Sequence, residues 1–314
     1  MPASAVRTFT DPDNYADTIR QGRVEVTVTG RGHFAAQLIR IDLHRLWMQR
    51  FSEDAARIKH TNGLGGRAVI AFPTQPGPSQ LWNNVELNQT NIIRHKEGAS
   101  YYQRTMGAAS YGAMSLPLAD MASVGAAIAG NALAPPRDAL IVTPLPSAMA
   151  KLQWLHATAG HLAEIAPEIV AHPEAARGLE QALIEALVGC LTTGDTVEER
   201  SAQRRHALIM RRFHQIIEEH PNEALYLPEI CKMIGVSART LQNCCQEHLA
   251  TSPKQFLVAR RMHMVRRDLS RATPTATTVT AIAAYYGFWE FGRFAGAYKS
   301  LFGELPSTTL RRPP

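Results

Sequence analysis

One stretch of this chain is written twice. Leu227, Ile230, Gly235 and Val236 recur 52 residues later as Val279, Ile282, Gly287 and Phe288. The offset then becomes 53, pairing Leu241 with Phe294, Cys245 with Tyr298, Leu249 with Phe302 and Pro253 with Pro306. One supersecondary unit therefore occurs twice, with one extra residue in the second turn.

The unit reads as helix, tight turn, helix. Pro228 to Ile234 forms the first helix, with Ile230, Cys231 and Ile234 turned inward. Gly235 follows, where a sharp exit requires positive φ at no Cβ cost. Val236 plugs the gap, Ser237 stands where a cap is needed, and Leu241 and Cys245 anchor the inner face of the second helix. The second copy runs from Val279 to Tyr286, through Gly287 and Phe288, into a helix from about Glu290 to Phe302. Between the copies, Pro253 to Arg271 reads as one long helix, apolar at Leu257, Met262, Val265 and Leu269 and basic at Arg260, Arg261, Arg266 and Arg267. A rigid spacer with two such units can present two recognition helices to one DNA face. Adjacent major grooves lie ~34 Å apart, so the pair would cover roughly 20 base pairs.

Charge supports a polyanion partner for this part of the chain. The 314 residues carry a net charge of +6, but residues 200–314 hold 17 Lys and Arg against 8 Asp and Glu. The rest is mildly acidic. A solubilising surface would give the same asymmetry, so the repeated motif decides. The length suits roughly two domains. With 45% hydrophobic and 19% charged residues, wholesale disorder is excluded. Met1 to Gln21 carries Asp11, Asp13 and Asp17 and lacks the apolar core of a signal peptide. Met106 to Pro136, interrupted by Pro117 and Asp120, would make a poor membrane span. Cys190, Cys231, Cys244 and Cys245 form no CxxC pair and read as reduced, mostly buried thiols. A cytoplasmic location away from membranes is expected.

The first 200 residues read differently. Val24 to Val28 alternates strictly, Ala68 to Phe72 is a short apolar run, and Asn91 to Arg94 is another candidate strand. Gly- and Pro-rich turns separate them, as in a small barrel or sandwich. Beyond Pro146 the period becomes helical. Leu152, Leu155, Ala159 and Leu162 share one face up to Pro167; Ala176, Leu179, Leu183, Leu187 and Val188 share another after Pro173. These stripes need a partner, either their own barrel or the same helices of a second chain. Thr192 to Thr196 reads as a linker or helix break.

The repeat also carries a family resemblance. Over about residues 207–310, the chain resembles the AraC/XylS transcription regulators. The match rests on Leu227-Pro-Glu-Ile-Cys, Gly235-Val-Ser, Ser252-Pro-Lys-Gln-Phe-Leu with Arg261-Met262, Gly287-Phe288, Arg293-Phe294, Tyr298-Lys299, Phe302-Gly303 and Pro306-Ser307. The resemblance implies an α+β chain in three parts: a cupin-like β-barrel effector domain over 1–146, dimerisation helices and linker over 147–206, and a double helix-turn-helix domain over 207–314. It also implies an effector-responsive activator, working as a homodimer on a double-stranded DNA operator, with RNA polymerase as a further partner.

By the same resemblance, Arg239, Gln242 and Asn243 occupy base-reading positions. Thr240 and Gln246 share the outward face of that helix. Arg can fork onto guanine O6 and N7, and Gln or Asn can pair with adenine N6 and N7. A merely solvated helix face is the plain alternative. The second copy departs from the family pattern with Trp289, Glu290, Phe291 and Gly292, leaving Arg293 as its strong candidate. Phe291 either touches a thymine methyl or packs on Trp289. Glu290 would repel phosphate but could accept from a cytosine amino group. The first unit is therefore expected to carry most direct readout. Lys299, Arg260, Arg266 and Arg311 are candidates for phosphate contact.

The sensor half is less explicit. His33, His44, His60 and His95 form no HxH pair with a downstream Glu, so no metal is expected. No GxSxG, Gly-rich phosphate loop or Cys/His signature is present, so neither catalytic residues nor a cofactor are expected. Arg67, Arg94, Tyr101, Tyr102 and Arg104 are ligand candidates suited to a carboxylate or phosphate; exposed strand ends are the alternative. Two RxxxR spacings, Arg200–Arg204 and Arg267–Arg271, keep open a cyclic dinucleotide-responsive regulator of the same fold. A metal-free barrel enzyme fused to a DNA-binding domain is a second alternative.

Overall fold

The computed structural model describes residues 2–20, 22–78, 80–83, 85–198, 201–220 and 223–312. The chain opens with β1 (Ala3–Phe9), α1 (Pro12–Thr18), β2 (Gly22–Val28), β3 (Ala36–Asp42), β4 (Trp47–Glu53), β5 (Arg57–Gly63) and β6 (Arg67–Pro73). There follow β7 (Gln80–Trp82), β8 (Val85–Leu87), β9 (Ile92–Arg94), β10 (Ser100–Thr105), β11 (Ala109–Pro117), α2 (Leu118–Ala129) and β12 (Leu140–Thr143). Next come α3 (Pro146–Ile165), α4 (Pro167–Ala171), α5 (Pro173–Thr193) and β13 (Asp195–Glu198). The rest is helical: α6 (Ser201–Glu219), α7 (Leu227–Ile234), α8 (Ala238–Leu249), α9 (Pro253–Arg271), α10 (Val279–Tyr285), α11 (Phe291–Phe302) and α12 (Pro306–Arg311).

The described strands pair antiparallel in two sheets, ordered β1-β3-β4-β11-β6-β9-β12-β13 and β2-β5-β10-β7-β8. Val26, Val28, Leu38, Phe51, Trp82, Ile93 and Tyr111 pack between them. The pairing of the described strands closes neither sheet into a barrel. Two regions take a form that the sequence reading left open. The Ala-rich part of the 106–136 stretch is helix α2, which packs through Met121. The Thr192–Thr196 linker runs into β13, which pairs with β12 and returns the chain to the large sheet's edge.

The apolar stripes of α3 and α5 find their partner within the chain. Leu152, Ala159, Leu183, Leu187 and Val188 bury against Ile39, Met48, Ile70, Phe72 and Met114 on the outer face of the large sheet. The small sheet is covered differently, because β5 inverts the usual pattern. Arg57, Lys59 and Thr61 point between the sheets, whereas Ile58 and His60 point outward. Ile58 and Tyr102 thereby join the apolar core of α6, α7 and α8. The inward charges are satisfied within the sandwich. Glu53 bonds Arg57 and Tyr15, and accepts from the Tyr111 hydroxyl at 3.1 Å. Desolvation pushes Lys59 down to about 7, against the pull of Glu53. Among the described residues, no helix is long and apolar enough to cross a membrane.

Candidate nucleic-acid interface

The duplication holds at the level of backbone geometry. Gly235 and Gly287 both take positive φ, 77° and 76°. Val236 N–H donates to Cys231 O at 3.1 Å, and Phe288 N–H to Ala283 O at 2.9 Å, so each turn reaches back five residues onto the preceding helix. Only at Gly287 would a Cβ also collide, lying 2.5 Å from the Tyr226 hydroxyl. The extra residue falls at Trp289, and its effect is local. Ser237 Oγ accepts from Thr240 N–H at 3.1 Å to cap α8, whereas Glu290 at the start of α11 makes no capping bond.

Each unit has its own core, and α9 serves both. Phe256 and Leu257, near its start, join Ile230, Ile234, Leu241, Cys244, Cys245 and Leu249. Met262, Val265 and Leu269, towards its end, join Phe294, Tyr298, Phe302 and Leu310. With 19 residues, α9 is about 28 Å long. A capping box between Ser252 and Gln255 starts it.

With Leu241, Cys244 and Cys245 buried, α8 turns Arg239, Gln242, Asn243 and Gln246 to solvent, and Thr240 is half-exposed. On α11, Phe294 and Tyr298 are buried, while Arg293 and Lys299 are exposed. Arg293 is not idle, since its Nη1 lies 2.8 Å from Glu290 Oε2. Trp289 and Tyr285 add exposed aromatic surface beside the second turn, at 74% and 71%. Phe291 is 38% exposed.

The basic face of α9 has another occupation, which corrects two phosphate candidates. Arg260 donates to Ile217 O at 3.1 Å and pairs with Glu25 at 3.6 Å. Arg266 pairs with Asp11 at 3.4 Å. Arg267 makes a forked contact with Asp13, at 3.1 and 3.0 Å, which raises its pKa. Between these arginines, buried His263 Nε2 accepts from Val28 N–H at 3.0 Å. Part of the charge asymmetry is thus spent inside the molecule, joining α9 to the acidic N-terminal segment. Arg311 stays exposed.

The ligand candidates do not converge on one site. Arg67 donates to Ser115 and to Arg45 O, and lies over the Trp47 ring. Arg94 donates to Ala134 O at 2.7 Å. Tyr101 stacks on His95 between the sheets, while Tyr102, one residue on, faces α6 and meets His214 Nδ1 at 2.7 Å. Arg104 is half-buried on β10. Tyr101 and Tyr102 do share the lining of one cavity of about 330 Å³, together with His95, Arg211 and His248. Arg211 and His248 went unnoticed in the sequence because helical spacing marks them only as surface and core. Arg200, and with it the Arg200–Arg204 spacing, lies outside the described residues. The second RxxxR begins at Arg267, already bound to Asp13.

Comparison with known proteins points the same way. A family described as a helix-turn-helix domain matches residues 230–312. The probable thc operon regulatory protein of Rhodococcus erythropolis is 35% identical over 166 residues, 52% of this chain and 49% of that protein. XylDLEGF operon transcriptional activator 3 of Pseudomonas putida is 38% identical over 98 residues, 31% of this chain and 30% of that protein. The chain thus matches half or less of the length of these relatives. The solved AraC-like transcriptional activator CuxR is 13% identical, covering 78% of this chain and 87% of that one, at a TM-score of 0.40, too low to bear on the fold. Residues 230–312 thus match a helix-turn-helix family, and the relatives of this chain are named as an operon regulatory protein and an operon transcriptional activator.

Proposed function

We propose that this chain is a sequence-specific DNA-binding transcription regulator, an activator that responds to an effector. The observation that carries this reading is the outward row Arg239, Gln242, Asn243 and Gln246 on α8, fixed over buried Leu241 and Cys245 behind a glycine turn that is repeated in the chain. Thr240 lies at the edge of that row. Arg293 and Lys299 give the second helix a smaller set of donors. Direct readout therefore falls mainly on α8, and α11 contributes backbone contact.

The division into 1–146, 147–206 and 207–314 accords with this reading. The first part is the sensor, whose cupin-like character rests on the family resemblance. For the effector site we favour the cavity at Tyr101 and Tyr102. It is lined from both halves of the chain, so a bound molecule would bias how they dock. A homodimer is supported by Trp154 and Ile165, which stay 64% and 65% exposed on α3 while Leu152 and Ala159 are buried. RNA polymerase and a cytoplasmic setting follow from the regulator role. A cyclic dinucleotide effector gains no support, since Arg267 is engaged by Asp13.

The test is selection of bound duplexes from a random pool, with and without cell metabolite extract. A defined half-site pair should emerge, and log affinity should fall with log salt by about 0.9 per phosphate neutralised. Recovery of no preferred sequence under either condition would refute the reading. Sedimentation of the purified chain tests the dimer.

A further inference from the structure

Some polar groups unrelated to DNA binding gather where the small sheet meets α6. His60 on β5 and His214 on α6 are 3% and 2% exposed, and their rings stack with centroids 2.9 Å apart. Glu218 follows His214 by one helical turn, so both project from the same face of α6. Its Oε1 lies 3.6 Å from His214 Nε2. One ring nitrogen of each histidine and one Glu218 carboxylate oxygen all lie within 4.8 Å of one another.

The surrounding hydrogen bonds occupy one nitrogen of each ring, and the stacked rings, 25° from parallel, would turn about them to bring the other nitrogens onto one ion. His214 Nδ1 is 2.7 Å from the Tyr102 hydroxyl, and His60 Nε2 is 2.5 Å from Ser100 Oγ. Each imidazole thus has one nitrogen held by a hydroxyl. If that nitrogen carries the proton and the hydroxyl oxygen accepts, the other nitrogen presents a lone pair, as in metal-bound histidines. His214 Nε2 is buried and makes no hydrogen bond. Beside His60 and Glu218 opens a cavity of about 320 Å³, also lined by Glu25 and Arg23, with room for a water as fourth ligand.

We propose that His60, His214 and Glu218 form a site for a zinc-class divalent cation that clamps the sheet half to the helical half. Two imidazoles and one carboxylate with an open fourth position are a donor set suited to such an ion. Because His60 comes from β5 and the others from α6, an ion bound there would tie its own affinity to the docking of the two halves. This goes beyond the DNA-binding reading and does not depend on it.

The test uses the full chain, stripped by a chelator and titrated with Co²⁺ as a coloured stand-in and with Zn²⁺. One equivalent of Co²⁺ should give the visible bands of a low-symmetry, four- or five-coordinate site, bleached by Zn²⁺. Zn²⁺ should also raise the melting temperature. Glu218→Gln, at a partly exposed position, should still fold cooperatively, as the metal-free melt reads, but weaken Co²⁺ binding at least tenfold and abolish the Zn²⁺ shift relative to its own metal-free melt. His214→Gln should do the same to the bands. His206→Ala, which breaks a separate His–Glu pair with Glu247, should change neither readout. Absence of a stoichiometric Co²⁺ band in the unsubstituted chain, or wild-type titration by Glu218→Gln, would overturn the proposal.

Discussion

Glu290→Ala is the substitution that best separates the possible roles of the second recognition helix. Glu290 and Arg293 pair at 2.8 Å with side chains 68% and 84% exposed. A pair so open to water contributes at most about 1 kcal/mol. Arg293 must give it up before turning onto a base or phosphate. Removing Glu290 removes that cost and one negative charge at the start of α11. The expected result is DNA binding tighter by roughly two- to fivefold, since about 1.4 kcal/mol is tenfold. The slope of log affinity against log salt should steepen by up to about 0.9. Stability should move the other way. An acidic residue at a helix start contributes about 0.3–1 kcal/mol through the dipole, and Glu290 makes no capping bond whose loss would add to this. Fluorescence anisotropy on operator and random duplexes over a salt series reads the first effect, and thermal melting the second. Weaker binding on the operator with random DNA unaffected would refute the reasoning, because Glu290 would then be accepting from a cytosine amino group. No change on either duplex would mean that this helix start does not face DNA.

Arg239→Ala should cost about 1–3 kcal/mol on the operator and relax preference at one or two base pairs, more than Arg293→Ala does on the same panel. Lys299→Ala should weaken operator and random duplexes alike and reduce the salt slope by about one. Gly235→Ala should destabilise by about 1–2 kcal/mol from its left-handed backbone alone. Gly287→Ala, with Tyr226 Oη 2.5 Å from the new Cβ, should cost more, and Tyr226→Phe should recover part of that excess in denaturant melts. Lys59 is pushed down to about 7 by burial, so between there and its ordinary 10.5 the unfolded chain binds the extra proton. Stability should therefore rise between about pH 7 and 10.5, by at most about 1.4 kcal/mol per unit, and Lys59→Met should flatten that rise.

The helical half was legible because its signals are local. Gly235 and Gly287, the Ser237 cap, and the spacing of Leu241 and Cys245 fix both the turns and which side of α8 meets solvent, each within a few residues of chain. Strands β2, β6 and β9 were likewise visible as short apolar or alternating runs. On β5 the same rule fails, because Arg57 and Lys59 point inward to meet Glu53 and Tyr111, and that ion cluster exists only when three strands are assembled. The ligand candidates on β10 fail for a related reason. Adjacent residues of a strand face opposite sides, and only the packing of both sheets and α6 says which side holds which partner.

Sequence alone settled the doubled helix-turn-helix and the residues it exposes. Tertiary structure alone decided what the basic face of α9 does. Arg260, Arg266 and Arg267 have the composition of a phosphate-binding stripe, yet they meet Glu25, Asp11 and Asp13. It also decided that His60 would lie against His214 and Glu218. Periodicity encodes which way a side chain points from its own element. It does not encode which distant element arrives opposite, and opposite charges or paired imidazoles acquire a role only through that arrival.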